Sequence, residues 1–414
     1  MKKQAFITVL ILLLVYVGSM LCSSFKIPGN IATGGDLQDS LYAGSPACIT
    51  CHKSIYDSFN LTSHSITSQP AAAKFIKGSF DSGNNYFRYN KFMEVRMEKK
   101  EDGFFQTSYI NGEPSQSERM DMVVGSGKNG QTYLFWRDDQ LYQLPVSYHS
   151  GTHSWCNSPG YPPGLPRFDR VITGRCLECH GSNAIVEDAG NNINYIDRGS
   201  VIYGVDCERC HGPAAAHVNY HTTHTGEKTG KYILKQKELN RQQNLDLCAL
   251  CHSGIRESIK PTFSYKAGDH LEDFSRPSYD VDSAAELDVH GNQYGLLTSS
   301  KCFKVSQQMT CSSCHDPHTR EVNKPALFSQ RCINCHSSST HIECNLKDKG
   351  GIRLNENCID CHMPLQASKA IFLQVSDRSK STADFIRTHR ITIYPDATAQ
   401  FIKNSKETPK ATKP

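Results

Sequence analysis

The feature that most constrains this chain is a five-residue pattern, Cys-x-x-Cys-His, which occurs seven times. The copies are Cys48–Cys51–His52, Cys176–Cys179–His180, Cys207–Cys210–His211, Cys248–Cys251–His252, Cys311–Cys314–His315, Cys332–Cys335–His336 and Cys358–Cys361–His362, numbered motifs 1 to 7 below. Two thiols three positions apart lie on one helical turn, where both can add to the two vinyl groups on one edge of a porphyrin. The next residue then turns its imidazole towards the iron. The pattern therefore predicts seven covalently bound c-type haems, with the fourteen motif cysteines as thioether attachment points and the seven motif histidines as proximal iron ligands.

Zinc is the competing reading, because motifs 5 and 6 are spaced like the two halves of a zinc ribbon. A ribbon gives no reason for histidine after every second cysteine, and neither does a disulfide scaffold or a thioredoxin-like redox motif. Composition agrees with haem. Only 38% of the 414 residues are hydrophobic while 18 are cysteine, so something besides side-chain hydrocarbon must fill the interior, and the flat apolar faces of attached porphyrins can do so. The formal charge is +4, from 45 basic and 41 acidic residues, and carries no nucleic-acid footprint. Seven ferric haems with their propionates would bring it to roughly −3.

At the N-terminus, Lys2 and Lys3 precede an apolar run from Ala5 to Val17 and the small residues Gly18 and Ser19. This is the layout of a secretory leader, with an uncleaved anchor or lipidation at Cys22 as the alternatives. The expected location is extracytoplasmic, in a bacterial periplasm or at the outer cell surface. Cys156, Cys302 and Cys344 lie outside the motifs; they leave room for one disulfide and an odd thiol.

Each proximal histidine leaves one axial position open on its iron, and whether it is filled separates electron relay from chemistry on a substrate. Eleven histidines compete: His64, His149, His153, His217, His221, His224, His270, His290, His318, His341 and His389. His217 and His221 are four apart and share a face of any helix there. His318 follows motif 5 by three residues, His64 follows motif 1 by twelve, and His389 could clasp a haem from the tail. Met309 and Met363 are further possible ligands but fit packing better.

Between motifs 1 and 2 the sequence changes character. Phe92–Glu98, Phe104–Ile110, Met120–Val124, Thr132–Trp136 and Leu141–Val146 read as short strands separated by turn residues, and Pro159–Gly164 as an irregular link. This stretch is either a docking surface or a cover over the first haem. The division expected is 1–24 leader or anchor, 25–46 linker, 47–80 first haem motif, 81–165 β-rich haem-free segment, 166–375 six-haem region, and 376–414 a C-terminal segment with His389 and a disordered tail. The fold class expected is a mainly α and irregular multihaem cytochrome fold organised by seven covalent haems, with a β-rich insertion between motifs 1 and 2.

Most of residues 45 to 392 resembles the cytochrome c-552/c-554 domain family of multihaem cytochromes, related to the hydroxylamine oxidoreductase and octahaem tetrathionate reductase group. The resemblance rests on Cys48–His52 with Ser63-His64, Gln143–Val146, Trp155–Tyr161, Cys207–Pro213 with His217, His290–Cys302, Cys311–His318 and Cys358–Pro364. It implies packed haem pairs with bis-histidine iron, and His64, His217, His221, His290, His318, His341 and His389 as distal ligands. His149 and His270 match no ligand position of the family, and His153 and His224 stand in reserve. Nitrite-reducing relatives often replace one motif histidine by lysine; all seven here are histidine, and no match to the tyrosine cross-link of hydroxylamine oxidation is found.

Two classes of function follow. The first is a chain of mostly bis-histidine haems moving electrons between redox partner proteins, quinol-linked or soluble cytochromes, in an extracytoplasmic respiratory pathway, with membrane association possible through the N-terminus. The second is an oxidoreductase in which one haem keeps an open distal site for a small nitrogen or sulfur oxyanion.

Overall fold

The computed structural model describes residues 41–162, 164–191, 193–278, 287–337, 344, 346, 356–376 and 380–407. The expected leader with Cys22, the candidate ligand His341 and the last residues of the tail lie outside them.

Eleven strands occupy the region around the haem-free stretch: β1 (Ser68–Pro70), β2 (Tyr86–Arg88), β3 (Met93–Lys100), β4 (Gly103–Ile110), β5 (Glu113–Arg119), β6 (Met122–Val124), β7 (Gly130–Arg137), β8 (Gln140–Gln143), β9 (Val146–His149), β10 (Ser154–Asn157) and β11 (Arg170–Val171). β2 to β5 form an antiparallel meander, while β1, β6, β7, β8 and β11 form the path of a second sheet to which β9 and β10 are joined through β7. Alternation along β3 buries Val95 and Met97 and leaves Glu94, Arg96 and Glu98 on the other face, the period-2 signature of a half-buried strand.

Phe87, Val95 and Met97 of the meander pack against Tyr133, Phe135, Leu144, Val146 and Trp155. The sheets are also tied by a side-chain amide acting as a strand. Gln106 is fully buried; its Nε2 donates to Val146 O at 2.6 Å and its Oε1 accepts from Val146 N at 3.0 Å. That satisfies main-chain groups that burial would otherwise leave unpaired.

The opposite face of the second sheet bears on motif 2. Met122, Leu134 and Leu141 form one apolar cluster with Ile172, Leu177 and Ala184, and Leu177 belongs to motif 2 itself. Ser68 of β1 donates its hydroxyl to the carbonyl of His180. The β-rich region is thus built onto the second motif, where the sequence offered a docking surface or a cover over the first haem.

The expectation of a mainly α and irregular fold is overturned: helix accounts for 29% of the structure and strand for 26%. The strands are not confined to the stretch between motifs 1 and 2. Antiparallel pairs also join Gly181–Asn183 to Ile202–Tyr203, Val186–Gly190 to Ile193–Ile196, Arg256–Ser258 to Ser275–Pro277, and Leu365–Leu373 to Thr382–Arg387. With few apolar side chains to bury, the segments between motifs still have to hydrogen-bond their main chain, and pairing it in short hairpins does so. A helix at Pro395–Glu407 runs into the stretch expected to be a disordered tail. Among the described residues, no helix is long and apolar enough to cross a membrane.

Candidate functional site

All seven motifs sit on helical turns. Motif 1 lies in the helix Ser45–Phe59, which breaks at His52 (φ −117°, ψ 34°). Motifs 2, 3, 4 and 7 end the helices Gly174–His180, Cys207–His211, Arg241–His252 and Cys358–His362. Motif 5 begins on a 3-10 turn at Cys311–Ser313, and motif 6 starts in the last turn of Pro325–Ile333. Local capping explains several starts. Asp206 accepts from Arg209 N, Asn240 forms a capping box with Gln243, and Asn357 accepts from Asp360 N, each satisfying a helix N-terminal donor.

Cysteines of different motifs meet in pairs. Cys48 lies beside Cys207, Cys179 beside Cys251, Cys248 beside Cys311, and Cys332 beside Cys358. As free thiols, the two members of a pair hinder each other's ionisation, so that loss of a proton from one raises the pKa of the other. Cys210 also lies within electrostatic reach of Cys248, and Cys335 of Cys314. The motifs therefore adjoin one another in the order 1, 3, 4, 5, 6, 7, with motif 2 touching motif 4.

The histidines pair as well. His52 faces His217 at 6.3 Å between ring centroids, His211 faces His318 at 6.0 Å, His252 faces His64 at 6.1 Å, and His315 faces His389 at 6.2 Å. Three pairs have ring planes within 29° of parallel, and the His64–His252 pair is inclined by 67°. Direct ring stacking brings centroids much closer, as in His224 on Tyr220 at 4.1 Å. Two imidazoles bound to opposite sides of one metal ion, at about 2 Å per metal–nitrogen bond, have centroids about 6.3 Å apart. The four pairs fit one iron each between them.

Ring tautomers agree with that fit. Nδ1 of His211, His217 and His362 donates to the carbonyls of Leu234, Lys231 and Thr392 at 3.0, 2.7 and 2.9 Å. Nδ1 of His252 donates to Gln293 Oε1 at 3.3 Å, and that of His180 lies 3.1 Å from Thr67 Oγ1. A proton held on Nδ1 leaves the Nε2 lone pair for a metal. Burial also favours the neutral form, the one a ligand needs, in seven of the histidines. It pushes His64 and His389 down to about 4 and lowers His180, His252, His290, His315 and His318. His64, His252, His290 and His315 nevertheless keep solvent-accessible surface.

The remaining predicted ligands are placed differently. His290 lies close enough to His180 to lower its pKa. His221 stands 4.6 Å from His217, and its Nε2 accepts the Lys231 N–H at 3.2 Å. His149 lies 3.6 Å from Asp384, His270 precedes a 3-10 turn, and His153 adopts φ +51°. Among the described residues no group of three or more His, Cys, Asp and Glu side chains converges as a metal held by protein alone requires. Of the spare cysteines, Cys156 is buried, Cys302 half-buried and Cys344 exposed.

Charged residues within the motifs were not singled out by sequence, yet they hold motifs together. Glu208 of motif 3 accepts the main-chain N–H groups of Ala43, Gly44 and Ala214 at 2.8 to 2.9 Å, fastening the segment that leads into motif 1. Glu178 of motif 2 and Arg209 of motif 3 are buried against each other. The signal available was a charged residue inside a motif with no part in haem attachment.

A motif array of this kind, with histidines paired at the span of one metal ion, defines a class of haem protein, and the comparisons agree. The family model described as cytochrome c554 and c-prime matches residues 166–212, which carry motifs 2 and 3. The multiheme cytochrome MtrA of Shewanella baltica (strain OS185) is 26% identical over 201 residues, covering 47% of this chain and 54% of that protein. The chain thus spans about half the length of the curated relative it matches. No solved structure matches. Over these residues the chain is similar to multihaem c-type cytochromes.

Proposed function

We propose that this chain is an extracytoplasmic electron carrier holding seven covalent haems, most of them with two histidine ligands, and passing electrons between redox partner proteins. Cys48, Cys51, Cys176, Cys179, Cys207, Cys210, Cys248, Cys251, Cys311, Cys314, Cys332, Cys335, Cys358 and Cys361 are the attachment residues, and the histidine closing each motif is the proximal ligand. The observation that carries the reading is the set of four imidazole pairs 6.0 to 6.3 Å apart. On it, the distal ligand of motif 1 is His217, of motif 3 His318, of motif 4 His64 and of motif 5 His389. His290 is assigned to motif 2 and His341 is left for motif 6 or 7, while His221, expected as a distal ligand, lies beside His217 with its Nε2 on the Lys231 N–H and is assigned to no iron.

A bound haem supplies a one-electron couple whose potential follows its axial ligands and surroundings. The chain's part is to fix His180, His211, His217, His252 and His362 through Nδ1, to favour the neutral form of His64 and His389, and to bring the motif cysteines next to one another. Two histidines on an iron leave no open position for a substrate, which favours a carrier over an enzyme. The apolar leader-like N-terminus supports export to the periplasm or cell surface, where the partners would be quinol-linked or soluble cytochromes.

The test is the mass and the paramagnetic-resonance spectrum of the full chain, secreted from a host competent in cytochrome maturation. A mass increased by seven haems and low-spin ferric signals are expected. A mass equal to the bare polypeptide overturns attachment, and abundant high-spin iron overturns the carrier in favour of an enzyme with an open haem.

A further inference from the structure

Motifs 2, 3 and 4 meet at a buried group of charges that attachment and ligation do not require. Glu178 and Arg209 are the residues before the second cysteine in motifs 2 and 3, and Leu250 holds the same place in motif 4. Arg175, just before motif 2, donates through Nη1 to Glu178 Oε2 at 2.7 Å and through Nη2 to Leu250 O at 2.6 Å. Arg209 donates through Nη2 to the main-chain carbonyl of Glu178 at 3.1 Å, and Phe263 N donates to Glu178 Oε1 at 2.8 Å. Side-chain exposure is 20% for Arg175, 7% for Glu178 and 10% for Arg209.

Two guanidinium groups therefore share one carboxylate, and they share it unequally. Arg175 touches it, while Arg209 lies 4.0 Å away over the Phe263 ring, and its buried Nε has no hydrogen-bond partner. A buried cation without full compensation is costly, so a fold that keeps one gains from it elsewhere. The cations are bonded into the motifs themselves: Arg175 holds the carbonyl of Leu250, next to Cys251 of motif 4, and Arg209 of motif 3 holds the carbonyl of Glu178, next to Cys179 of motif 2.

We propose that Arg175, Glu178 and Arg209 form a charge node, one positive charge in excess, that holds motifs 2, 3 and 4 together and raises the reduction potential where they meet. The inference rests on the haem-bearing reading above. Adding an electron to a ferric haem removes one positive charge from the site, so a nearby buried cation favours the reduced form and a nearby carboxylate opposes it. The node makes the junction of the three motifs the place where an arriving electron is held most favourably.

The experiment is a spectroelectrochemical titration of the full holoprotein, with haem content measured by mass for every variant. Glu178→Gln is expected to shift part of the titration to higher potential, Arg209→Gln to shift part of it lower, and Glu178→Asp to restore the native curve. A merely structural role would move both charge-removing variants in one direction, or leave the curve in place. Either result with full haem content overturns the node, whereas a native chain without haem overturns the underlying reading instead. Should Arg209→Gln be recovered short of haem, Arg175→Gln must give the downward shift, and its failure to do so likewise overturns the node.

Discussion

Arg387 grips Asp360: its Nη2 lies 2.6 Å from the carboxylate of motif 7 while its Nη1 donates to the carbonyls of Ile359 and Met363 at 3.0 and 2.8 Å. Two residues later His389 faces His315 of motif 5. One side chain thus fastens the late strand to motif 7 and aims its histidine at motif 5. Replacing Arg387 by alanine should cost about 1–2 kcal/mol, since both partners of the ion pair are partly exposed and the carbonyl contacts are ordinary hydrogen bonds. Denaturant titration reads the loss, and a new high-spin ferric signal reads the release of His389. A variant with native stability and a native spectrum would show that the grip has no such role.

Distal ligation is tested one imidazole at a time. His64→Ala, His217→Ala, His318→Ala and His389→Ala should each turn one low-spin haem high-spin and leave the haem count unchanged. His224→Ala is the control, because that ring stacks on Tyr220 and faces no motif histidine. An unchanged spectrum for any of the four removes that residue from the ligand set.

Cys156 should be chemically silent in the native protein. Burial pushes its thiol up to about 12, which leaves about a thousandfold less thiolate near pH 8 than an exposed cysteine has. Iodoacetamide is expected to label the exposed Cys344 and to reach Cys156 only on unfolding, as peptide mapping would read. The sign for stability follows from the same proton. The folded state holds it to higher pH than the unfolded chain does, so this contribution is intact below about pH 8.5 and is lost as pH rises through about 12.

The aromatic core of the β-rich region depends on one glycine. A Cβ on Gly78 would lie 2.1 Å from Trp155 Cζ2, a ring fixed in the core and held by its indole N–H on Ser79 O. Gly78→Ala should cost about 1–3 kcal/mol through overpacking. Gly83→Ala, where nothing lies within 4 Å but φ is +89°, should cost only about 1 kcal/mol of backbone strain. Equal thermal shifts for the two would contradict the packing argument.

Spacing along the chain was enough to find the helical turns that carry the motifs, because two cysteines and a histidine within five residues are a local pattern. It also located the apolar runs seen in β3, β4, β6 and β7. β5 escaped notice because Glu113–Arg119 is almost wholly exposed and has no apolar alternation; main-chain pairing with β4 and hydroxyl contacts such as Thr107 to Ser117 make it a strand. The hairpin Val186–Ile196 was hidden for the same reason, since most of its first strand faces solvent. Partnerships between histidines could not be read from spacing, because His64 and His389 are paired with motifs far along the chain. The buried charges at Glu178, Glu208 and Arg209 look like ordinary polar filler in a linear sequence, and only the approach of neighbouring motifs gives them a role.

The interleaving of motif 1 with motif 3, and of motif 2 with motif 4, has a consequence for biogenesis. On the proposed export, N-terminus first, the first pair of thiols would emerge long before the segment that lies against them. Motif 1 could then settle against motif 3 only after that later portion had followed. Truncation just before Cys207 would leave the earliest site stranded at its edge.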